Sequence, residues 1–522
     1  ITTAGIVDVA SEAELNFSGS TLTLQAGGTL TGDGVINFAS GLDIDTGAAF
    51  SNATGSPTLF FTNGDISGAG AFTNERLLNT DQDTAISVAA FTNASGGTLL
   101  ADNGETMTVS STAFTNQSGG TVQIDATAAN TGMEFTNGLT NDGVLDLVGL
   151  FASGAKVAQL DTGTGLTNSG TITSNGFIQI TGDITNSATG GLQTDSSGPE
   201  FVTFNVTGQV NNAGLIELFS DEGGNENSFF NATSVTNTGT IAVQGDATDN
   251  FDLIGNFDNQ GLMQFSTDGA VTFRDRTAAG DDTLVNSGTM DITSGTSLDI
   301  GSDSLGQYNF VNSGTILANG DLAFREVTGT LAAGTDLQIG NGVRVDLTDN
   351  TTLDQNIDFT LLAGRTIGLG AGNGPATLGG TGTLTNQGDL EFSGGVLGVD
   401  TVNEGLITTT DNIYTIDANL TLSAAGSIDL ASAGTLTGSG AILNEDALAF
   451  STGGLIDVAT FTNNGEMAFD AGTYSVSAGV NFTNGAAGTM LLNGDNGNAV
   501  VGFATDMTNQ GLIAIDTTNS SG

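Results

Sequence analysis

Fifty-seven carboxylates and seven cationic side chains carry nearly all the charge of this 522-residue chain, which has no histidine and no cysteine. Without His there is no Ser-His-Asp triad and no imidazole metal site, and without Cys there is no thiolate nucleophile. What remains is carboxylate chemistry: acid pairs of the kind that cleave glycosidic bonds, or a carboxylate-held cation beside a basic residue. Asp43 with Asp45, and Asp281 with Asp282, are such pairs, but among so many acids they arise by chance. Arg274 and Arg276 flank Asp275 in the one local basic cluster, which reads as a surface ion-pair group. Ca2+ is the cation that Asp- and Asn-rich turns such as Asn493-Gly494-Asp495-Asn496-Gly497 could hold, though no EF-hand or Gly-Gly-x-Gly-x-Asp repeat specifies it. The expectation is a chain that is not an enzyme and carries no cofactor beyond such calcium.

The net charge is −50. Coils of ~25 residues rising ~4.8 Å each would place these charges on ~100 Å, about one per 2 Å, against about one per 1.7 Å in duplex DNA. A polyanion of that density excludes nucleic acid and anionic bilayers as partners. It favours divalent cations, a saline medium or a basic surface, and it keeps like molecules apart. No run of 18 apolar residues is present, so no membrane-spanning helix is expected.

The elements that must position these side chains emerge from self-comparison. One word recurs: an apolar residue, any residue, Asn, any residue, Gly, then a strand. Copies end in Asn141 and Gly143, Asn168 and Gly170, Asn212 and Gly214, Asn237 and Gly239, and Asn259 and Gly261. Further copies end in Asn286 and Gly288, Asn312 and Gly314, Asn386 and Gly388, Asn463 and Gly465, and Asn509 and Gly511. Phe91-Thr92-Asn93 and Phe114-Thr115-Asn116 are variants with a longer turn. From Asn212 the steps are 25 to Asn237, 22 to Asn259, 27 to Asn286 and 26 to Asn312. A period near 25 suits one solenoid coil of three short strands and three turns. Apolar residue and Asn are two apart and so share a side of the strand. The apolar one enters the core, and the Asn amide bonds to its counterparts one coil above and below, satisfying a polar group that is costly to bury alone. The glycine is expected to turn the corner with a left-handed backbone angle.

A second word, Gly-x-Gly-x-apolar-x-Asn, appears at Gly68 to Asn74, Gly380 to Asn386 and Gly438 to Asn444. It is no dinucleotide loop, because no helix signal follows it. Between the words run alternations such as Leu42-Asp43-Ile44-Asp45 and Val343-Arg344-Val345-Asp346-Leu347, aliphatic inward and charge outward. Residues 321–380 lack the Asn-x-Gly word but keep the strands, and read as coils with different corners. Gly370 to Pro375 reads as a protruding loop. Thr-x-Thr pairs, such as Thr171 with Thr173, do not recur in register, so no threonine array is expected. The fold class is all-β: a single long right-handed parallel β-helix over 1–522, about 20 coils of roughly 25 residues.

The Phe-Thr-Asn-x-Gly and Gly-x-Gly-x-Leu-Thr-Asn words together resemble the passenger regions of bacterial autotransporters and filamentous-haemagglutinin-type exoproteins. The resemblance is one of repeat style over nearly the whole chain. It implies export to the bacterial cell surface and an adhesive or scaffolding role, and it carries over no functional residue. Neither terminus reads as a cap, so the chain is expected to be a segment of a longer or polymeric protein whose main partner is itself, with a cell-surface glycan or a basic surface as a further partner. The alternative is a polysaccharide-binding or polysaccharide-cleaving β-helix.

Overall fold

The computed structural model describes residues 1–522 apart from positions 46, 53–56, 62–63, 81, 151–154, 195–201, 220–226, 246–249, 277–281, 302–306, 371, 411–412, 424–425, 431–433, 451–452, 494–497 and 517–522, with backbone alone at 80, 227, 429, 430 and 516. No helix occurs among the described residues. Strands make up 64% of the chain, in parallel stacked coils of about 23 residues, roughly 20 in all: a β-solenoid. The coils form two compact units, Ile1–Val271 and Thr272–Gly522.

In the first unit each coil contributes one strand to each of three files. Around its middle, one file holds Thr106–Val109, Thr131–Phe135 and Val157–Asp161. The next holds Phe114–Asn116, Leu139–Asn141 and Leu166–Asn168, and the third holds Thr121–Asp125, Val144–Val148 and Thr171–Asn175. These pairings are all parallel and in register from coil to coil. Register therefore stacks like on like. Leu99, Val122, Leu145, Ile172 and Leu192 form one inward column, each fully buried. Phe17, Phe38 and Phe61 stack at 5.4 and 5.0 Å. Phe50, Phe72, Phe91, Phe114 and Phe135 follow one another at 5.7, 5.1, 4.9 and 4.7 Å. The core is thus a bundle of one-residue-wide apolar columns, which suits a chain with only 38% hydrophobic residues. Period-two patterning fills such a column without needing a broad apolar surface.

The second unit has the same three-file plan, with one change of design. Its first file runs through Thr283–Asn286, Tyr308–Asn312, Val327–Leu331 and Thr352–Gln355. Asn286 and Asn312 end strands of this file. From Phe359–Leu361 onward the buried asparagines end strands of the following file instead: Thr383–Asn386, Asp400–Asn403 and Asn481–Asn484. The asparagine corner has moved by one strand around the coil. The move falls inside 321–380, the stretch without the Asn-x-Gly word. There Leu331 and then Gln355 stand in register below Asn312, and the buried Gln355 amide donates to the carbonyls of Ile357 and Thr383 at 3.0 and 3.2 Å. The loop after Gly370 is closed by a bond from the Ala376 N–H to the Gly370 carbonyl and pinned by the Asn373 N–H on the Asp349 carboxylate.

One expectation about the outer surface changes. Thr73, Thr92, Thr115, Thr140, Thr167 and Thr185 stand in register, one per coil, in a single outward file. Each is the middle residue of the apolar-x-Asn word, so the array follows the word and not the Thr-x-Thr pairs.

Because each coil touches only its neighbours, damage should stay local. Phe72→Ala, which empties a place between two stacked rings, is expected to cost about 3–5 kcal/mol. Native-state hydrogen exchange should accelerate in the coils of Phe50 and Phe91 and be unchanged around Asn237.

Candidate functional site

The residues singled out by spacing form a structural site. In the first unit Asn52, Asn74, Asn93, Asn116, Asn141, Asn168, Asn186, Asn212, Asn237 and Asn259 make an unbroken ladder. Each Nδ2 donates at 2.7 Å to Oδ1 of the asparagine in the next coil. The second hydrogen of the amide reaches a backbone carbonyl, as from Asn116 to Val144 at 3.0 Å and from Asn237 to Leu262 at 3.0 Å. In the second unit Asn286 donates to Asn312 and Asn386 to Asn403. A further run passes through Asn444, Asn463, Asn484 and Asn509. All these side chains are buried except Asn509, which is exposed.

Asn52, Asn186, Asn403 and Asn484 belong to the ladder but not to the asparagines singled out from the sequence. Ile184-Thr185-Asn186 and Phe482-Thr483-Asn484 carry the apolar-x-Asn half of the word, with glycine four residues on (Gly190, Gly488) instead of two. A search that allowed both turn lengths would find them. Asn403 follows Thr401, so its apolar partner is absent.

The turn glycines need correction. None of Gly143, Gly170, Gly214, Gly239, Gly261, Gly288, Gly314, Gly388, Gly465 and Gly511 takes a positive φ. Glycine is required there by closeness. A Cβ on Gly170 would lie 2.1 Å from the carbonyl oxygen of Gly143, one on Gly239 2.2 Å from that of Gly214, and one on Gly314 2.2 Å from that of Gly288. Most of these glycines stack on one another's carbonyls, while Gly388 and Gly465 press on those of Arg365 and Asp446. The carbonyls accept the strand-opening N–H of the next coil, as Thr171 donates to Gly143 at 2.8 Å. Left-handed glycines occur one residue earlier in the longer turns, at Gly96 and Gly119.

Part of the acidic charge is structural as well. Asp65, Asp83 and Asp183 each accept the backbone N–H of a residue one coil on, from Ala85 at 2.9 Å, Thr106 at 2.8 Å and Gln209 at 2.8 Å. Asp358, Asp400 and Asp417 do the same for Thr383, Asn419 and Ser439. These carboxylates cap amides that the turns leave without a strand partner.

The candidate catalytic residues are not gathered into one site. Asp43 and Asp45 point outward on either side of buried Ile44. Arg276 grips the buried Asp282 carboxylate at 2.9 Å through its guanidinium and at 2.7 Å through its own N–H. Asp281 lies outside the described residues, as do residues 494–497 of the calcium-type turn. Fully buried Tyr308 has its pKa pushed well above the ordinary tyrosine value, first by burial and then by the charges of Asp282 and Asp275. Among the described residues no cluster of three or more acids could hold a metal ion, and no helix is long and apolar enough to cross a membrane.

No protein-family model matches the chain, and no curated protein is significantly similar to it.

Asn141→Ala would strand the Asn116 amide and the Asn168 carbonyl in the interior at about 1–3 kcal/mol. Gly239→Ala should destabilise more than Gly19→Ala, whose added Cβ meets nothing within 4 Å. Both comparisons are read from thermal melts. Tyr308 gives a pH test. A pKa raised in the folded state means that above the ordinary tyrosine value, near 10, the unfolded chain holds fewer protons than the folded one, so stability falls as pH rises. Tyr308→Phe should remove that part of the alkaline loss.

Proposed function

We propose that this chain is a secreted, non-catalytic structural element of a bacterial surface, a stretch of fibre or stalk that can also serve adhesion. The observation that carries the reading is the investment of the sequence in coil-to-coil repetition. Strand register, ring stacks, amide ladders, stacked glycines and carboxylate caps all join one coil to the next, and these devices use most of the conspicuous residues. A chain organised in this way extends by adding coils, and its span grows with sequence length.

The charge supports the same reading. With −50 net, side-by-side approach of two copies is opposed along their whole length, while screening by salt or divalent cations leaves coil-on-coil contact as the favourable direction. The repeat style, which resembles exported bacterial surface proteins, supports the setting.

Electron microscopy of the native material tests the proposal. The expected result is filaments or stalks that contain many chains end to end. Isolated particles of a single chain would overturn it. In parallel, the pure protein incubated with neutral and acidic polysaccharides should leave their size distribution unchanged, and reproducible depolymerisation would make it an enzyme instead.

A further inference from the structure

Among the described residues, the wall of the second unit opens between two strands of one file. Asp336–Ile339 pairs with the coil before it and Phe359–Leu361 with the coil after it, but no strand pairing joins the two. The flanking files carry on, Val327–Leu331 onto Thr352–Gln355 and Arg344–Thr348 onto Thr366–Gly370. The breach bares what adjacent coils bury. Leu337 is in register with fully buried Ile316, and Phe359 with fully buried Leu384, yet both are partly exposed. Leu362 at the rim is 45% exposed.

The result is a groove of about 440 Å³, within the range of small-molecule sites. Leu337, Phe359 and Leu362 give it apolar surface, and Gln338, Thr360 and Arg365 give it polar groups. No carboxylate is among its lining residues, in a chain with 57 of them, although Asp336 accepts from Gln338 Nε2 at 2.8 Å and leaves Gln338 its Oε1 for a ligand. Two other surface grooves each include an acid in their lining, Glu14 and Asp183. Arg365 uses its Nε on the Ile339 carbonyl, one of the groups left by the missing strand pairing. It enters no ion pair among the described residues, unlike Arg276, Arg325 and Arg344. Its two terminal amino groups are the natural fork for a carboxylate.

We infer that this breach is a binding subsite for a single carboxylated sugar unit carried on an otherwise neutral glycan, since a polyanionic glycan would meet the same repulsion as nucleic acid. The carboxylate pairs with Arg365, ring hydroxyls meet Gln338 and Thr360, and the apolar ring face lies on Phe359 and Leu337. A fatty or other long-chain acid does not fit, because the cavity behind the groove, which Leu337 and Phe359 also line, offers only about 20 Å³. The ligand must stay in the open groove with one face to water, as a hydroxylated ring can. The inference rests on the surface reading above for its setting and deepens it by naming a ligand class.

The test uses the full chain at ~0.15 M salt, where the Debye length is ~8 Å and the polyanion's repulsion of an acid is damped. Methyl glucuronide and N-acetylneuraminic acid are the carboxylated probes and methyl glucoside the neutral one, followed by saturation-transfer NMR and calorimetry. Binding of at least one acid is expected, about tenfold or more tighter than the neutral sugar, with a similar loss in Arg365→Gln. Arg365 also caps a backbone carbonyl, so Leu362→Asp, at an exposed rim position, is the second variant and should weaken binding as much. Failure of the wild type to bind either acid, equal binding of the neutral sugar, or undiminished binding by Leu362→Asp would each overturn the inference. A chain that forms filaments yet binds neither acid refutes this subsite and leaves the fibre reading intact.

Discussion

A buried amide must find partners, and in this protein the ladder asparagines find them chiefly one coil away. That constraint organises the rest. An asparagine inside the corner needs another at the same height in the next coil, which fixes the register of the strand it ends and, through it, the apolar residue two positions before. The glycine that follows is favoured as well, since the bend that brings amide to amide also brings backbone to backbone. The local word acts as one geometric unit with few departures: Thr401 stands where the apolar residue would precede Asn403, and Asp446 where the glycine would follow Asn444. Strand register in a flat parallel stack is otherwise weakly specified, because any column of β-branched and aliphatic residues packs on any other. The amide distinguishes the correct pairing from a slip.

The same constraint explains where the array is irregular. Asn386 stands below Leu361 and Asn444 below Leu422, and in both the Oδ1 has no hydrogen-bond donor among the described residues. These are the first members of their runs, and each bears the unmet acceptor of a ladder begun anew. The relocation of the corner between Asn312 and Asn386 is the larger discontinuity. A solenoid cannot rotate its ladder by one strand without coils that have none, and residues 321–380 supply them. Gln355 keeps a buried amide there by using a longer side chain and backbone partners.

Much of this was legible in the sequence because a solenoid writes its contacts as periodicity. The apolar residue, the asparagine and the glycine of each word lie within five residues, so their relation survives without knowledge of the fold. What was not legible involves distance. The glycine at Gly239 looks like a turn former in isolation, and its real neighbour, the Gly214 carbonyl, is 25 residues away. Asp183 looks like surface charge, and its partner is the N–H of Gln209. The breach at Ile339 and Phe359 falls in the stretch without the Asn-x-Gly word, but nothing in the pattern marks it as an opening, because each strand on its own alternates normally and only the pairing between them is missing.

The ladder also has a direction. Each amide bond runs the same way, nitrogen toward the later coil and oxygen toward the earlier one, through nine consecutive links from Asn52 to Asn259. Such a file is a line of dipoles set head to tail in a medium that screens them poorly, and each polarises the next. Its middle members therefore hold more firmly than its ends, and a single aliphatic side chain in the line, as at Leu422, acts like a gap in a conductor. The array is electrically a set of separate segments, and the joints between them are where its coils should part first under tension.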